Sequence, residues 1–188
     1  MDDMKLEAEE RLGGCELSIA DNKIVERSEL SVVSLAVPTG GEGALTESLK
    51  ENFGLAPPEA PLSNTHDGHR LIRTAPDQML LIFPGEAPAA DRVIRAKLGD
   101  LAYLTDQTDA WVILEVHGPE TLNALARICM IDLDATAFPV NSAARTMMEH
   151  LGVLIIRLDV DSFLLMSAAS SAESFLHAVE TSYRNVVA

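Results

Sequence analysis

Aromatic residues make up only 4% of this 188-residue chain: one Trp, two Tyr and five Phe. So sparse a set offers little for stacking bases or gripping a flat cofactor. Cysteine is rarer still. Cys15 and Cys129 lie far apart, neither in a C-x-x-C motif, and two thiols alone build neither a disulfide framework nor a zinc centre. Cys129 falls in an apolar helical phase, which predicts a buried thiol. Positive charge is scarce too, with 14 Lys and Arg against 29 Asp and Glu, a formal −15. So acidic a chain repels phosphate backbones, which sets aside nucleic acid and anionic membrane as main partners. The acids are scattered, as on a solvated surface. No window approaches the roughly 20 apolar residues that span a bilayer. The opening MDDMKLEAEERL has no apolar stretch of the signal-peptide kind, so the cytoplasm is the expected location.

What is present is a globular composition, 47% hydrophobic and 23% charged. Residues 1–29 are mostly polar and read as an N-terminal extension. Val33, Leu35 and Val37 alternate with Ser34 and Ala36, a strand pattern. PTGGEG turns the chain, and Leu45, Leu49 and Phe53 recur every fourth residue as one helix face. GLAPPEAPLSNTHDGH reads as a loop. RLIRT and QMLLIF read as two strands around Ala75-Pro76-Asp77. Pro88 suits the first turn of a helix carrying Val93, Ile94 and Leu98.

The second half repeats this order. Val112, Leu114 and Val116 alternate as a strand corresponding to Val33–Val37. Gly118-Pro119 opens a helix with Leu122, Leu125, Ala126 and Cys129 on one face. ATAFPVNS is a loop, and GVLIIRL and SFLLMS are two strands. Ser170 and Glu173 have capping-box spacing at the start of a helix through Phe175, Leu176, Val179 and Tyr183. Asp77-Gln78-Met79-Leu80-Leu81 matches Asp161-Ser162-Phe163-Leu164-Leu165, and Leu71-Ile72-Arg73 matches Ile155-Ile156-Arg157, both 84 residues on (161 − 77; 155 − 71). The pattern is an internal duplication: a first repeat over 30–100 and a second over 101–188, forming one compact α+β domain. Very short turns between paired strands favour antiparallel hairpins over an all-parallel sheet.

Candidate chemistry is thin. PTGGEG lacks the Gly-Lys-Ser/Thr ending of a nucleotide loop, and HGPETL is not a dinucleotide fingerprint. In a repeated strand–helix corner, Gly118-Pro119 has a geometric duty first. His66-Asp67-Gly68-His69 puts two imidazoles and a carboxylate in one loop. A zinc site would need further ligands, and nothing gathers His117, His150 or His177 there. No G-x-S-x-G elbow is present. Asp106 and Asp109 flank a turn, where Asp is at home. No catalytic, cofactor-binding or metal residue is assigned, and His66, His69, Asp106 and Asp109 are expected not to be catalytic.

One resemblance adds to this. Thr105-Asp106-Gln107-Thr108-Asp109-Ala110-Trp111, the Gly118-Pro119 helix start, Asp132-Leu133, Phe138-Pro139-Val140 and Ser142-Ala143-Ala144-Arg145-Thr146 together resemble the gamma subunits of bacterial heterotetrameric sarcosine oxidases. The likeness covers residues 100–180 and is weaker before them. That family is similar to the folate-binding, aminomethyltransferase-like fold of the glycine-cleavage T-protein, a duplication of α+β subdomains with exchanged strands. The resemblance implies a complex that demethylates sarcosine to glycine oxidatively, forming hydrogen peroxide and, with tetrahydrofolate, methylenetetrahydrofolate. It places NAD and folate with the alpha subunit, FAD with beta, FMN between those two, and zinc with delta. It assigns the gamma subunit no catalytic residue, only a packing role against alpha, beta and delta. With 47% hydrophobic residues the chain has enough for a core and an apolar patch outside it, which in isolation is expected to be exposed or covered by self-association. Phe138 to Ser142 and Arg145-Thr146-Met147-Met148 are the candidates for part of that packing face, a core role being the alternative that the same composition allows. The competing readings are the equivalent subunit of an N-methyl amino acid dehydrogenase and a stand-alone folate-binding or aminomethyl-transferring protein.

Overall fold

A computed structural model describes residues 10–85 and 89–188. The expectation for Pro88 and most of the opening acidic segment lie outside the described residues.

The chain forms two antiparallel sheets. The first repeat gives β3 (Leu30–Ala36), α1 (Glu42–Phe53), β4 (Ser63–His66), β5 (His69–Ala75), β6 (Gln78–Pro84) and α2 (Ala90–Leu98). The second gives β8 (Trp111–His117), α3 (Thr121–Ala126), β9 (Ala143–Met148), β10 (Leu151–Asp159), β11 (Ser162–Ala168) and α4 (Ala172–Val187). Before them come β1 (Glu16–Ile19) and β2 (Asn22–Glu26), and between them β7 (Tyr103–Asp106). One sheet has the order β1-β2-β8-β11-β10-β9, the other β4-β5-β6-β3-β7.

The duplication is visible in register. Val33 faces Leu81 and Leu71 faces Leu81 in one sheet; Leu114 faces Leu165 and Ile155 faces Leu165 in the other. The irregularity between Arg73 and Ala75 recurs between Arg157 and Asp159. Val33 thus corresponds to Leu114, an offset of 81 (114 − 33), so β3 and β8 align two residues away from the Val33–Val112 match that alternation suggested. The strands that precede each repeat are exchanged. β2 leads into β3 yet pairs with β8, and β7 leads into β8 yet pairs with β3.

Packing is in four layers. Ile72, Leu80 and Ile82 of one sheet meet Ile113, Leu154, Ile156, Leu164 and Met166 of the other in an inter-sheet core. Leu45, Leu49, Phe53, Ile94 and Leu98 of α1 and α2 cover the outer face of the five-stranded sheet. Leu125, Phe175, Val179 and Tyr183 of α3 and α4 cover the other. Because β6 and β11 are buried on both faces, MLLIF and FLLM are continuous apolar runs and not alternations. Fully burying each such side chain contributes roughly 1.5–3 kcal/mol.

Several expectations need correction. The segment 54–69 is not all loop, because β4 and β5 form a hairpin closed by His66 and His69. Asp67 and Gly68 both have positive φ, as a two-residue turn with the right-handed twist requires. The polar β4 carries little hydrophobic pattern to reveal it. The Met-containing run 143–148 is strand β9. α3 is shorter than its apolar phase implied, because Cys129 leaves the helix to bridge Met148. Cys129 is accordingly half-buried. The capping box does not form: Ser171 holds the N-cap position and makes no side-chain cap bond. The polar segment before residue 30 contributes β1 and β2 to the six-stranded sheet.

Candidate functional site

The Gly118-Pro119 corner is occupied by the protein itself. Gly118 has φ 134°, and a Cβ there would lie 2.5 Å from Asn22 Oδ1 and 2.8 Å from the Asp21 carbonyl oxygen. Asn22 Oδ1 accepts from the Glu120 N–H at 2.9 Å, and its Nδ2 donates to the Ile19 carbonyl at 3.1 Å. The donor that a phosphate would use is therefore taken by the β1–β2 turn. The corner locks β2 onto the second repeat.

Where the exchanged strands cross, a cleft of about 280 Å³ opens, lined by Glu26, Arg27, Glu29, Asp109, Trp111 and others. Its charges are largely matched. Glu26 accepts from the backbone N–H groups of Leu12, Gly14 and Cys15 at 3.0, 2.9 and 3.3 Å. Arg27 pairs with Glu29 at 2.5 Å and with Glu115. Arg11 pairs with Asp109 at 3.3 Å. The Trp111 indole N–H is buried and has no partner among the described residues. The volume is at the small end for ligand sites. A folate or flavin needs several unengaged polar groups on an apolar wall, whereas most charged groups of this lining are engaged within the protein. The described lining of this cleft is a poor fit for such a cofactor.

Asp106 sits at the end of β7, where its carboxylate accepts from the N–H groups of Ala90 at 2.9 Å and Thr108 at 3.0 Å. Burial alone would raise its pKa; hydrogen bonds from Thr108, Ala90 and Ala89 outweigh that and hold it below the usual carboxylate range. Asp109 is an exposed ion-pair partner. Burial, with Glu26 and Glu180 nearby, pushes the Cys15 thiol up, the opposite of what a nucleophile needs.

The histidines are not brought together. His69 packs between Phe53 and Phe83 with centroid distances of 5.3 and 5.5 Å, while the His66 ring lies over Gly54. His117 ends β8, His150 is in the β9–β10 turn and His177 is on the exposed face of α4. Among the described residues no three His, Cys, Asp or Glu side chains form a metal-ligand group. The expected packing face is divided: Phe138, Ser142 and Met148 are buried, whereas Val140 and Met147 are exposed.

Sequence reasoning missed two arginines. Arg157 is 1% exposed and donates to the carbonyls of Leu133, Phe138, Asp159 and Val160 at 3.0, 2.8, 3.2 and 2.5 Å. Arg73, its counterpart, donates to the carbonyls of Pro58 and Pro76 at 3.1 and 2.6 Å and pairs with Glu42. The Leu-Ile-Arg and Ile-Ile-Arg match was the signal. These arginines hold loop backbones in place.

The architecture defines the class: a duplicated α+β domain of the folate-binding, aminomethyltransferase-like fold. Its aminomethyltransferase neighbour is the glycine cleavage system aminomethyltransferase T of Bartonella henselae, with a TM-score of 0.59 at 15% identity, over 85% of this chain and 45% of that one. In sequence the chain is similar to sarcosine oxidase gamma subunits. It is 29% identical over 143 residues to the subunit from Corynebacterium sp. (strain P-1), covering 76% of this chain and 70% of that protein. It is 27% identical, over 76% and 70%, to the one from Arthrobacter sp.. A heterotetrameric sarcosine oxidase from Corynebacterium sp. U-96, solved with pyrrole 2-carboxylate, contains a chain that matches with a TM-score of 0.78 and 23% identity, over 92% of this chain and 89% of that one. No family model matches the sequence.

Proposed function

We propose that the chain is the non-catalytic gamma subunit of a sarcosine oxidase-like flavoenzyme complex that demethylates sarcosine to glycine oxidatively. FAD, FMN, NAD, zinc and tetrahydrofolate belong, in this reading, to the alpha, beta and delta subunits. The observation that carries it is the likeness to gamma subunits in sequence together with a shape match over nearly the whole of both chains. The engaged polar groups of the cleft and of the Gly118 corner support a scaffolding role.

Co-expression with candidate alpha, beta and delta subunits tests it. The expected result is stoichiometric co-purification and sarcosine-dependent hydrogen peroxide formation by the assembly, with the isolated chain colourless after desalting. Flavin absorbance retained by the isolated chain would overturn the non-catalytic part. A chain that purifies alone and binds folate would replace the reading with the stand-alone protein. Assembly with turnover of another N-methyl amino acid only would reassign the substrate.

A further inference from the structure

The two exchanged strands occupy equivalent positions, but among the described residues only one of them has a strand paired on its outer side. In the six-stranded sheet β1 pairs with the outer side of β2, Leu17 opposite Ile24 and Ile19 opposite Asn22. β7 holds the same place in the five-stranded sheet, and no described strand pairs with its outer side. The backbone alternation is the same in both. The Arg27 N–H donates to Ile113 at 2.9 Å and the Gln107 N–H to Val32 at 2.8 Å. Every second residue back therefore also faces the sheet, which leaves Ile24 and Glu26, or Leu104 and Asp106, facing outward. Glu26 uses that direction, its N–H donating to Cys15 at 2.8 Å. Apolar surface accompanies the open edge: Tyr103 is 71% exposed, and Val93, on the helix packed against β7, is 55% exposed.

We propose that the outer edge of β7 takes an antiparallel strand from a partner subunit, in the place β1 fills in the other repeat. The internal symmetry specifies the occupant: an extended segment of about four residues, the length of β1, apolar at the two alternate positions that correspond to Leu17 and Ile19. Those residues would oppose Leu104 and Ala102. A second copy of the chain fits poorly, since each copy carries a net −15 and like charge opposes pairing. The inference rests on the subunit reading and names where one partner docks.

Hydrogen exchange on the assembled complex and on the free chain tests it. In the complex the amides of Leu104 and Asp106 are expected to slow by at least about tenfold, while those of Tyr103 and Thr105, already bonded to β3, change little. Tyr103→Lys with Thr105→Lys, which places two charges along the edge, is expected to weaken assembly at least about tenfold without lowering the melting temperature of the free chain. A complex that forms with Leu104 and Asp106 exchanging as in the free chain overturns the proposal and leaves the subunit reading standing. Protection that appears in the free chain on concentration alone overturns it in favour of self-pairing. Absence of any complex removes both.

Discussion

Glu26 and Asp106 stand at equivalent ends of the two exchanged strands, and each carboxylate accepts backbone N–H groups from the segment beside it. Glu26 faces Leu114 and Asp106 faces Val33, the matched positions of β8 and β3. Glu26 fixes residues 12–15, and Asp106 ties the first turn of α2 to the turn before β8. An acid at this position thus pins a neighbouring segment to the exchanged strand in both halves.

Replacing Asp106 tests this. Asp106→Ala should destabilise the domain by about 1–3 kcal/mol, the usual cost of leaving such donors unpaired, and Asp106→Asn by less. The pH dependence has a definite sign. Because the folded pKa is depressed, the carboxylate's contribution is present above its unfolded value of about 3.9 and fades as pH falls through the lower folded value. In urea titrations the gap between wild type and Asp106→Asn should be constant from neutrality to about pH 5 and then narrow. A gap that widens in acid would reverse the assignment.

The paired arginines give a second prediction. Arg157 is buried, its charge met by carbonyl oxygens, by the Phe163 ring 5.2 Å away and by the nearby Asp134 carboxylate, whereas the Arg73 side chain is 19% exposed and pairs directly with Glu42. Arg157→Met strands the buried carbonyls of Leu133 and Phe138, with those of Asp159 and Val160 left to solvent, and should cost about 3 kcal/mol or more; Arg73→Met should cost about 1–2 kcal/mol. Equal losses in chemical denaturation would contradict the difference in burial.

Much of this architecture was legible, and the gaps have physical causes. The hairpins β5–β6 and β10–β11 are buried on both faces, so their apolar runs and shared Arg survive as a match 84 residues apart. β1, β2, β4 and β9 lie at or near sheet edges. Polar residues such as Ser18, Lys23, Asn64 and Arg145 are tolerated there, so the alternation that marks a strand is diluted. The strand exchange leaves no local trace, because β2 and β7 read the same whichever sheet they join. Glu26 was one of 29 acids until its match with Asp106, 80 residues on (106 − 26), gave it a role. The turn around Asp106 and Asp109 was read correctly as a turn, but one of the N–H groups that Asp106 accepts comes from Ala90 at the start of α2, which sequence spacing cannot place.

Gly118 separates a tolerated glycine substitution from an intolerable one. Gly118→Ala would drive a methyl group into Asn22 and the Asp21 carbonyl and hold alanine at φ 134°. The expected cost is above about 3 kcal/mol, since close contact and backbone strain act together. Gly152→Ala, with nothing within 4 Å of the new methyl, should change stability by less than about 1 kcal/mol, toward greater stability. Thermal melts of the two variants check the contrast; a mild effect at Gly118 would mean that the β1–β2 turn yields easily.

The last prediction concerns alkaline pH. Tyr183 on α4 is fully buried, and its hydroxyl donates to Thr121 Oγ1 at 2.9 Å, joining α4 to the start of α3. Burial pushes its pKa up to about 12, with the Thr121 hydrogen bond acting weakly in the other direction. The neutral phenol is therefore the form the fold favours. Its contribution is complete below the unfolded tyrosine value of about 10 and is lost as pH rises from there through the folded value, a total of about 3 kcal/mol. Tyr183→Phe keeps the ring packing, removes the titrating group, and should cost about 1 kcal/mol at neutral pH for the missing hydrogen bond. Above about pH 10 the wild type should lose stability faster than the variant, and the two denaturation curves should converge or cross. Parallel loss in both proteins would show that Tyr183 does not control the alkaline transition and that some other group does.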